Sequence, residues 1–209
     1  MFKFYTLPCL TFFVSLFLLP AACINAQTPY EQEILQSREY NKKGLCKGER
    51  APLKENEIQF LRYFQVASIW RKYAHIERIA DTATVVMPTS SGKIKYFKRY
   101  AYLRFEHFKQ SYTLTAFYAV KDTLKTGEPL HLFIPFNDLS NGELTYGGGR
   151  YIESSTAEIM DDTLVLDFNT CFNPYCAYTT GYNCPVPPVE NRLSLFIEAG
   201  EQNYSKPHY

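Results

Sequence analysis

From about residue 70 the apolar side chains recur with a period of two. Residues 112–120 show it best: Tyr112, Leu114, Ala116, Tyr118 and Val120 alternate with Thr113, Thr115, Phe117 and Ala119, the pattern of a pleated strand with two distinct faces. Residues 70–79 alternate less regularly. Residues 83–87 form a short β-branched run closed by Pro88, and Ser90-Ser91-Gly92-Lys93 reads as a turn. Residues 94–108 are strand-like with a break near Lys98 and Arg99. Residues 130–136, 150–154, 164–169 and 193–198 complete the series. Some eight strands at short spacing, with turn residues between them, predict a mainly β fold: an antiparallel barrel or sandwich. The period is different upstream. Residues 30–43 place Ile34, Leu35 and Arg38 near one face with no Gly or Pro before Gly44, and residues 54–64 repeat Ile58, Leu61 and Phe64. These predict one or two N-terminal helices.

The first 26 residues carry a different pattern. Lys3 precedes an apolar run over residues 10–19, and small residues follow at 21–26. That run is shorter than the about 20 residues a membrane span needs, so it reads as a signal peptide cleaved after Ala26. Cys23 offers the alternative of a lipid anchor, against which Pro20 stands at an unfavourable position. The expected organisation is a signal peptide over 1–26, a helix over 27–45 and a single β-rich domain over 46–209. No later apolar run is long enough to span a membrane. Removal of 1–26 takes Lys3 and no acid, bringing the formal charge from +1 to zero. Neutrality argues against a nucleic-acid footprint or a polybasic membrane patch. The 17 tyrosines and 16 phenylalanines favour sheet.

Candidate chemistry concentrates between residues 146 and 201. Gly147-Gly148-Gly149-Arg150 lacks the Gly-Lys-Ser/Thr of a phosphate loop. Its glycines read as a turn or a close backbone approach, or as access for a ligand that Arg150 clamps through its fork of donors. Asp167 and Asn169 share a strand face by alternation, and a buried Asp167 needs a partner such as Arg150 or Arg192. Asn173-Pro174 starts a turn. Glu190 follows a proline-rich approach. Glu190 and Glu201 are too far apart along extended chain to pair, at over about 30 Å, which makes Asp167 with Glu190 the candidate acid pair. Tyr146, Tyr151, Tyr175, Tyr178 and Tyr182 surround these groups and suit a sugar or other small ring, or simply pack the sheet. Cys176 and Cys184 read as a small disulfide loop, as free thiols, or with Cys171 as an unusual metal set that lacks C-x2-C spacing. His75, His107, His131 and His208 are all distant in sequence, and no metal site is expected.

The segments APL at 51–53, VVMPTSSG at 85–92, YLRFE at 102–106, LFIPFNDLSNGELTYGGGRYIE at 132–153 and LDFNTCFNPYCAYTTGYNCPVPPVENRLSLFIEAGE at 166–201 resemble DUF1684, a family of unknown function in bacteria and archaea. The resemblance places Arg150, Asp167, Asn169, Asn173, Cys176, Cys184, Glu190, Asn191 and Glu201 at motif positions and implies no activity or cofactor. Cys46 and Cys171 look like additions to the pattern, which implies a bond between them. The expected function is that of an exported small-ligand-binding module in the periplasm or cell envelope, with Arg150, Asp167, Asn169, Asn173 and Glu190 at its mouth. The alternatives are a hydrolase using Asp167 with Glu190, or the Cys176 thiol, and a structural or interaction protein.

Overall fold

The computed structural model describes residues 1, 27–81, 83–120 and 128–206; the expected signal peptide and lipidation site over 2–26 lie outside them. Helix α1 (Pro29–Gly44) starts where a helix start is encoded. Thr28 accepts from the Glu31 amide, Glu31 returns the bond to the Thr28 amide, and Pro29 occupies the first turn. Ile34 and Arg38, one turn apart, form its buried edge. Residues 55–60 make a 3-10 turn rather than the second helix the spacing suggests.

Seven strands follow among the described residues: β1 (Arg71–Arg78), β2 (Thr84–Pro88), β3 (Ile94–His107), β4 (Gln110–Ala119), β5 (His131–Phe136), β6 (Arg150–Ser155) and β7 (Thr163–Asp167). They form one curled antiparallel sheet in the order β6-β5-β4-β3-β1-β7, with β2 paired to the first half of β3. The long β3 is the spine: β4 runs along one side, β2 and β1 share the other. Two hairpin turns use positive φ at two non-glycine residues each, Phe108-Lys109 and Asp161-Asp162, the twist-matched geometry of a two-residue hairpin. Residues 193–198, expected as a strand, run instead as irregular chain. The Leu193 and Leu139 amides tie this segment and the chain after β5 together, and the bridge there is Asn137 to Arg192.

One feature of β3 decides which residues meet. The break expected near Lys98–Arg99 is a β-bulge: Arg99 pairs with Phe117, but Ala101 pairs with Ala116, so Tyr100 is an extra residue. An extra residue reverses the parity of the side chains. Ala101, Leu103 and Phe105 therefore point with Leu114, Leu132, Ile134, Leu164 and Leu166 into the main core, while Phe97 points to the other face. There it joins Met87, Phe117, Phe133 and Tyr151 in a second apolar cluster. The sheet thus buries apolar residues on both faces, which is why β5 reads as the unbroken run Leu132-Phe133-Ile134-Pro135-Phe136.

Between β4 and β5 the ladder is thin, with Phe117 opposite Phe133 as the registered pair among the described residues. Asn191 fills the gap with its side chain. Its oxygen accepts from the Thr115 amide at 2.7 Å, and its nitrogen donates to the carbonyls of Thr115 at 2.9 Å and Pro135 at 2.7 Å. A buried carboxamide thus stands in for a missing strand of backbone.

Candidate functional site

The expected site residues do not converge on one opening. Arg150 is fully buried. Its guanidinium donates to Asp138 at 2.8 Å, to the Ile197 carbonyl at 3.0 Å, to Glu201 O at 3.2 Å and to Ala199 O. Asp138 also accepts from the Ser140 amide at 2.8 Å. The chain after β5, the start of β6 and residues 197–201 are fastened through this one fork. The glycines before it are backbone geometry: Gly149 has φ +86°, and a Cβ there would meet the Phe136 carbonyl at 2.6 Å and Pro187 at 2.7 Å.

Asp167 and Asn169 do come together, by capping rather than by strand alternation. The strand ends at Asp167, whose side chain accepts from the Asn169 amide at 2.9 Å and from the Tyr30 hydroxyl at 2.7 Å. The Asn169 side chain exchanges bonds with the Ala67 backbone, and the Asn169 backbone carbonyl accepts from Arg38. This cluster docks α1 against the turn that follows β7. A pocket of about 400 Å³ there is lined by Tyr30, Ile34, Ser154, Val165 and Asp167. Burial beside Asp167 holds the Tyr30 phenol well above its ordinary range.

Asn173 is buried and faces Glu201: its amide donates to the carboxylate at 3.1 Å, and its side chain to the Gln202 carbonyl at 2.8 Å. Tyr178 donates to the same carboxylate. Burial pushes the Glu201 carboxyl up to about 7, although the bonds from Tyr178 and Asn173 pull the other way. Glu190 is engaged elsewhere, in a two-point pair with Arg99 at 3.0 and 2.9 Å, so Asp167 and Glu190 have separate partners.

Cys176 and Cys184 form a disulfide. The expected Cys46–Cys171 bond is absent: both are free thiols. Cys171 is buried against Gly200 with its thiol directed at the Ala199 carbonyl, 3.5 Å away, and burial pushes its pKa up to about 11. Cys46 lies just past the end of α1. Among the described residues no three His, Cys, Asp or Glu side chains gather as a metal site.

The opening lies on the second face of the sheet. A cleft of about 1530 Å³ is floored by Phe97, Phe133, Tyr151 and Phe172. The rings run in series, with centroids 5.4 Å apart from Phe97 to Phe133, 4.8 Å from Phe133 to Tyr151 and 5.9 Å from Tyr151 to Phe172. Tyr151 is pinned by donating its hydroxyl to the Pro185 carbonyl. One wall is the loop over residues 174–185, where Tyr175 and Tyr182 pack edge to face at 5.1 Å. The disulfide closes this loop, and the turn between β2 and β3 is zipped to it: the Ser90 amide donates to the Cys184 carbonyl at 2.9 Å, and the Val186 amide to Pro88 at 2.8 Å. Arg50, Lys95, His131 and Glu153 bring charge to the lining. Of the expected aromatics, Tyr151, Tyr175 and Tyr182 line the cleft; Tyr178 serves Glu201 instead. The phenylalanines of the floor and Arg50 were not anticipated. Their signal is the doubly apolar run of β5, legible only with the bulge parity of β3.

A family model described as "Protein of unknown function (DUF1684)" matches residues 56–202. The chain belongs to this family. The DUF1684 match takes in every strand and the cleft, and leaves α1 and Arg50 outside it. An uncharacterised protein of Haloarcula marismortui, solved in solution by NMR, is similar in structure: TM-score 0.64, 28% identity, covering 83% of this chain and 94% of that one. Comparison with curated proteins returns no match. Among the described residues no helix is long and apolar enough to cross a membrane.

Proposed function

We propose that the protein is an exported binding module that takes a small ligand with an apolar or ring-shaped body in the cleft on the second face of the sheet. The observation that carries this reading is the series of four aromatic rings that line a cleft of about 1530 Å³. An aromatic floor of this kind, pre-formed and bordered by a few polar groups, is the usual make-up of a small-molecule site. Pinning of Tyr151 and the disulfide-closed wall keep it pre-organised, which lowers the entropic cost of binding. The disulfide also suits an oxidising compartment outside the cytoplasm. Binding is favoured over hydrolysis because Asp167 and Glu190 are each committed to a different partner, and because Cys176 is oxidised.

The test is titration of the mature protein with the neutral fluorophore N-phenyl-1-naphthylamine, beside an Ala119→Trp variant. Ala119 is half-buried, lines the cleft and pairs with Phe97, so an indole there covers the floor beside Phe97 without removing any contact. Enhanced fluorescence that Ala119→Trp abolishes, at an unchanged melting temperature, is the expected result. Equal binding by both proteins would sink the proposal.

A further inference from the structure

The charge around the cleft narrows the ligand class, an inference that rests on the cleft being the binding site. Among the described residues, four with charged or titratable side chains other than tyrosine line it: Arg50, Lys95, His131 and Glu153. The one acid among them already has a partner, since Glu153 lies 3.5 Å from His131 across the β5–β6 pair. Arg50 is different. It is exposed at the wall, and its backbone carbonyl is held by the Tyr182 hydroxyl. Its guanidinium lies over the Tyr182 ring at 5.8 Å and makes a single long contact, 3.4 Å, to the Gly181 carbonyl. Among the described residues it forms no ion pair with a carboxylate. A planar fork of donors is therefore anchored at the edge of an apolar floor with most of its capacity unused.

We infer that the ligand is an amphipathic carboxylate, an acyl or aryl acid whose apolar body lies along Phe97, Phe133, Tyr151 and Phe172 and whose head pairs with Arg50. The complementarity is of two kinds. The floor offers rings and no polar atom other than the Tyr151 hydroxyl, which is already donating, so a polyhydroxylated body such as a sugar would leave its hydroxyls without partners there. With His131 and Glu153 set against each other, the Arg50 guanidinium over the Tyr182 ring is the group that meets an anionic head. A guanidinium takes a carboxylate through two parallel bonds, and this geometry also fixes which way round the ligand lies.

Cis-parinaric acid, a fluorescent polyene fatty acid, and its methyl ester present the same body with and without the charge. The mature protein is titrated with both, beside Arg50→Gln and Ala119→Trp variants, with melting temperatures recorded for each. The acid is expected to bind up to about fivefold more tightly than the ester, the factor that one exposed charged pair supplies. Arg50→Gln should bring the acid to the level of the ester and leave the ester unchanged, and Ala119→Trp should remove both. Equal affinity for acid and ester, or equal loss of both in Arg50→Gln, overturns recognition of the head and leaves the cleft as the site of an apolar body. Binding of neither molecule, or binding that Ala119→Trp does not affect, overturns the cleft itself and this inference with it.

Discussion

Replacing Arg150 by Met separates two roles that the residue type alone leaves open. Methionine keeps most of the length and apolar volume and removes every donor. The structure then has four acceptors to account for: the Asp138 carboxylate and the carbonyls of Ile197, Ala199 and Glu201. Arg150 and Asp138 are both fully buried at their side chains, so neither the stranded carboxylate nor the carbonyls can turn to solvent. Breaking a buried pair from one side costs about 3–5 kcal/mol, and each carbonyl left without a donor adds to it. A loss near the upper end, about 5 kcal/mol, is expected. In a chain of this size that lowers the melting temperature by roughly 10–20 °C. Urea unfolding at neutral pH measures it, and Asp138→Asn with the double variant completes a cycle whose coupling should reach about 2–3 kcal/mol. At temperatures where Arg150→Met remains folded, its cleft should still bind the neutral fluorophore. A ligand clamp behaves in the opposite way: exposed substitutions usually stay within about 0.5 kcal/mol while binding disappears. A stability change that small for Arg150→Met would refute the assignment of this residue as a structural clamp.

Three further outcomes follow from the same geometry. Because burial raises the Glu201 carboxyl from 4.5 to about 7 in the folded state, its contribution to stability is complete below about pH 4.5 and is lost as the pH rises to about 7. Urea unfolding at pH 5 and pH 8 should therefore show a loss on the order of 3 kcal/mol that is absent in Glu201→Gln, where the Tyr178 hydroxyl can turn to accept; parallel profiles would remove Glu201 as the cause. The Cys176–Cys184 bond spans a sequence separation of 8, so the Cys176→Ser, Cys184→Ser pair should cost about 2.5 kcal/mol and weaken fluorophore binding by loosening the cleft wall. Unchanged binding would show that the loop holds its shape without the bond. Thiol titration of the mature protein under non-reducing conditions should find Cys46 reactive in the native state and Cys171 reactive only after unfolding; a Cys46–Cys171 bridge would leave neither.

The strands were readable from the period-two pattern, because alternation is a local property and each strand turns a face to one of the two apolar clusters. The helix start at Thr28 was equally local, since a capping box involves four neighbouring residues. The end of β7 was not: Asp167 and Asn169 alternate correctly for a strand, but an Asp that can accept from the amide two residues on competes with the ladder and closes it into a turn. Residues 193–198 alternate as well, yet Asn137 and Leu139 engage that segment from the chain after β5, and no regular partner strand is supplied.

The candidate site was harder to read, for one physical reason. Arg150, Asp167, Asn169, Asn173 and Glu190 stand out as residue types because polar groups beside glycine and proline are uncommon; the structure uses all but the exposed Glu190 where polar groups are hardest to place, inside, with partners supplied by distant segments. The cleft is built from phenylalanine and tyrosine, the residues that a sequence assigns to the core by default. Their exposure to a ligand depends on a single extra residue in β3. Were Tyr100 paired in regular alternation instead of bulged, Phe97 would fall on the face of Leu103 and Phe105, taking away the first ring of the floor and adding bulk to a core that is already filled. The bulge therefore decides more about this site than any charged residue in the dense segment from 146 to 201. That segment still matters to the cleft, but through its backbone: the loop over 174–185 is its wall, and the Arg150 fork anchors the start of β6, the strand that carries Tyr151 and Glu153.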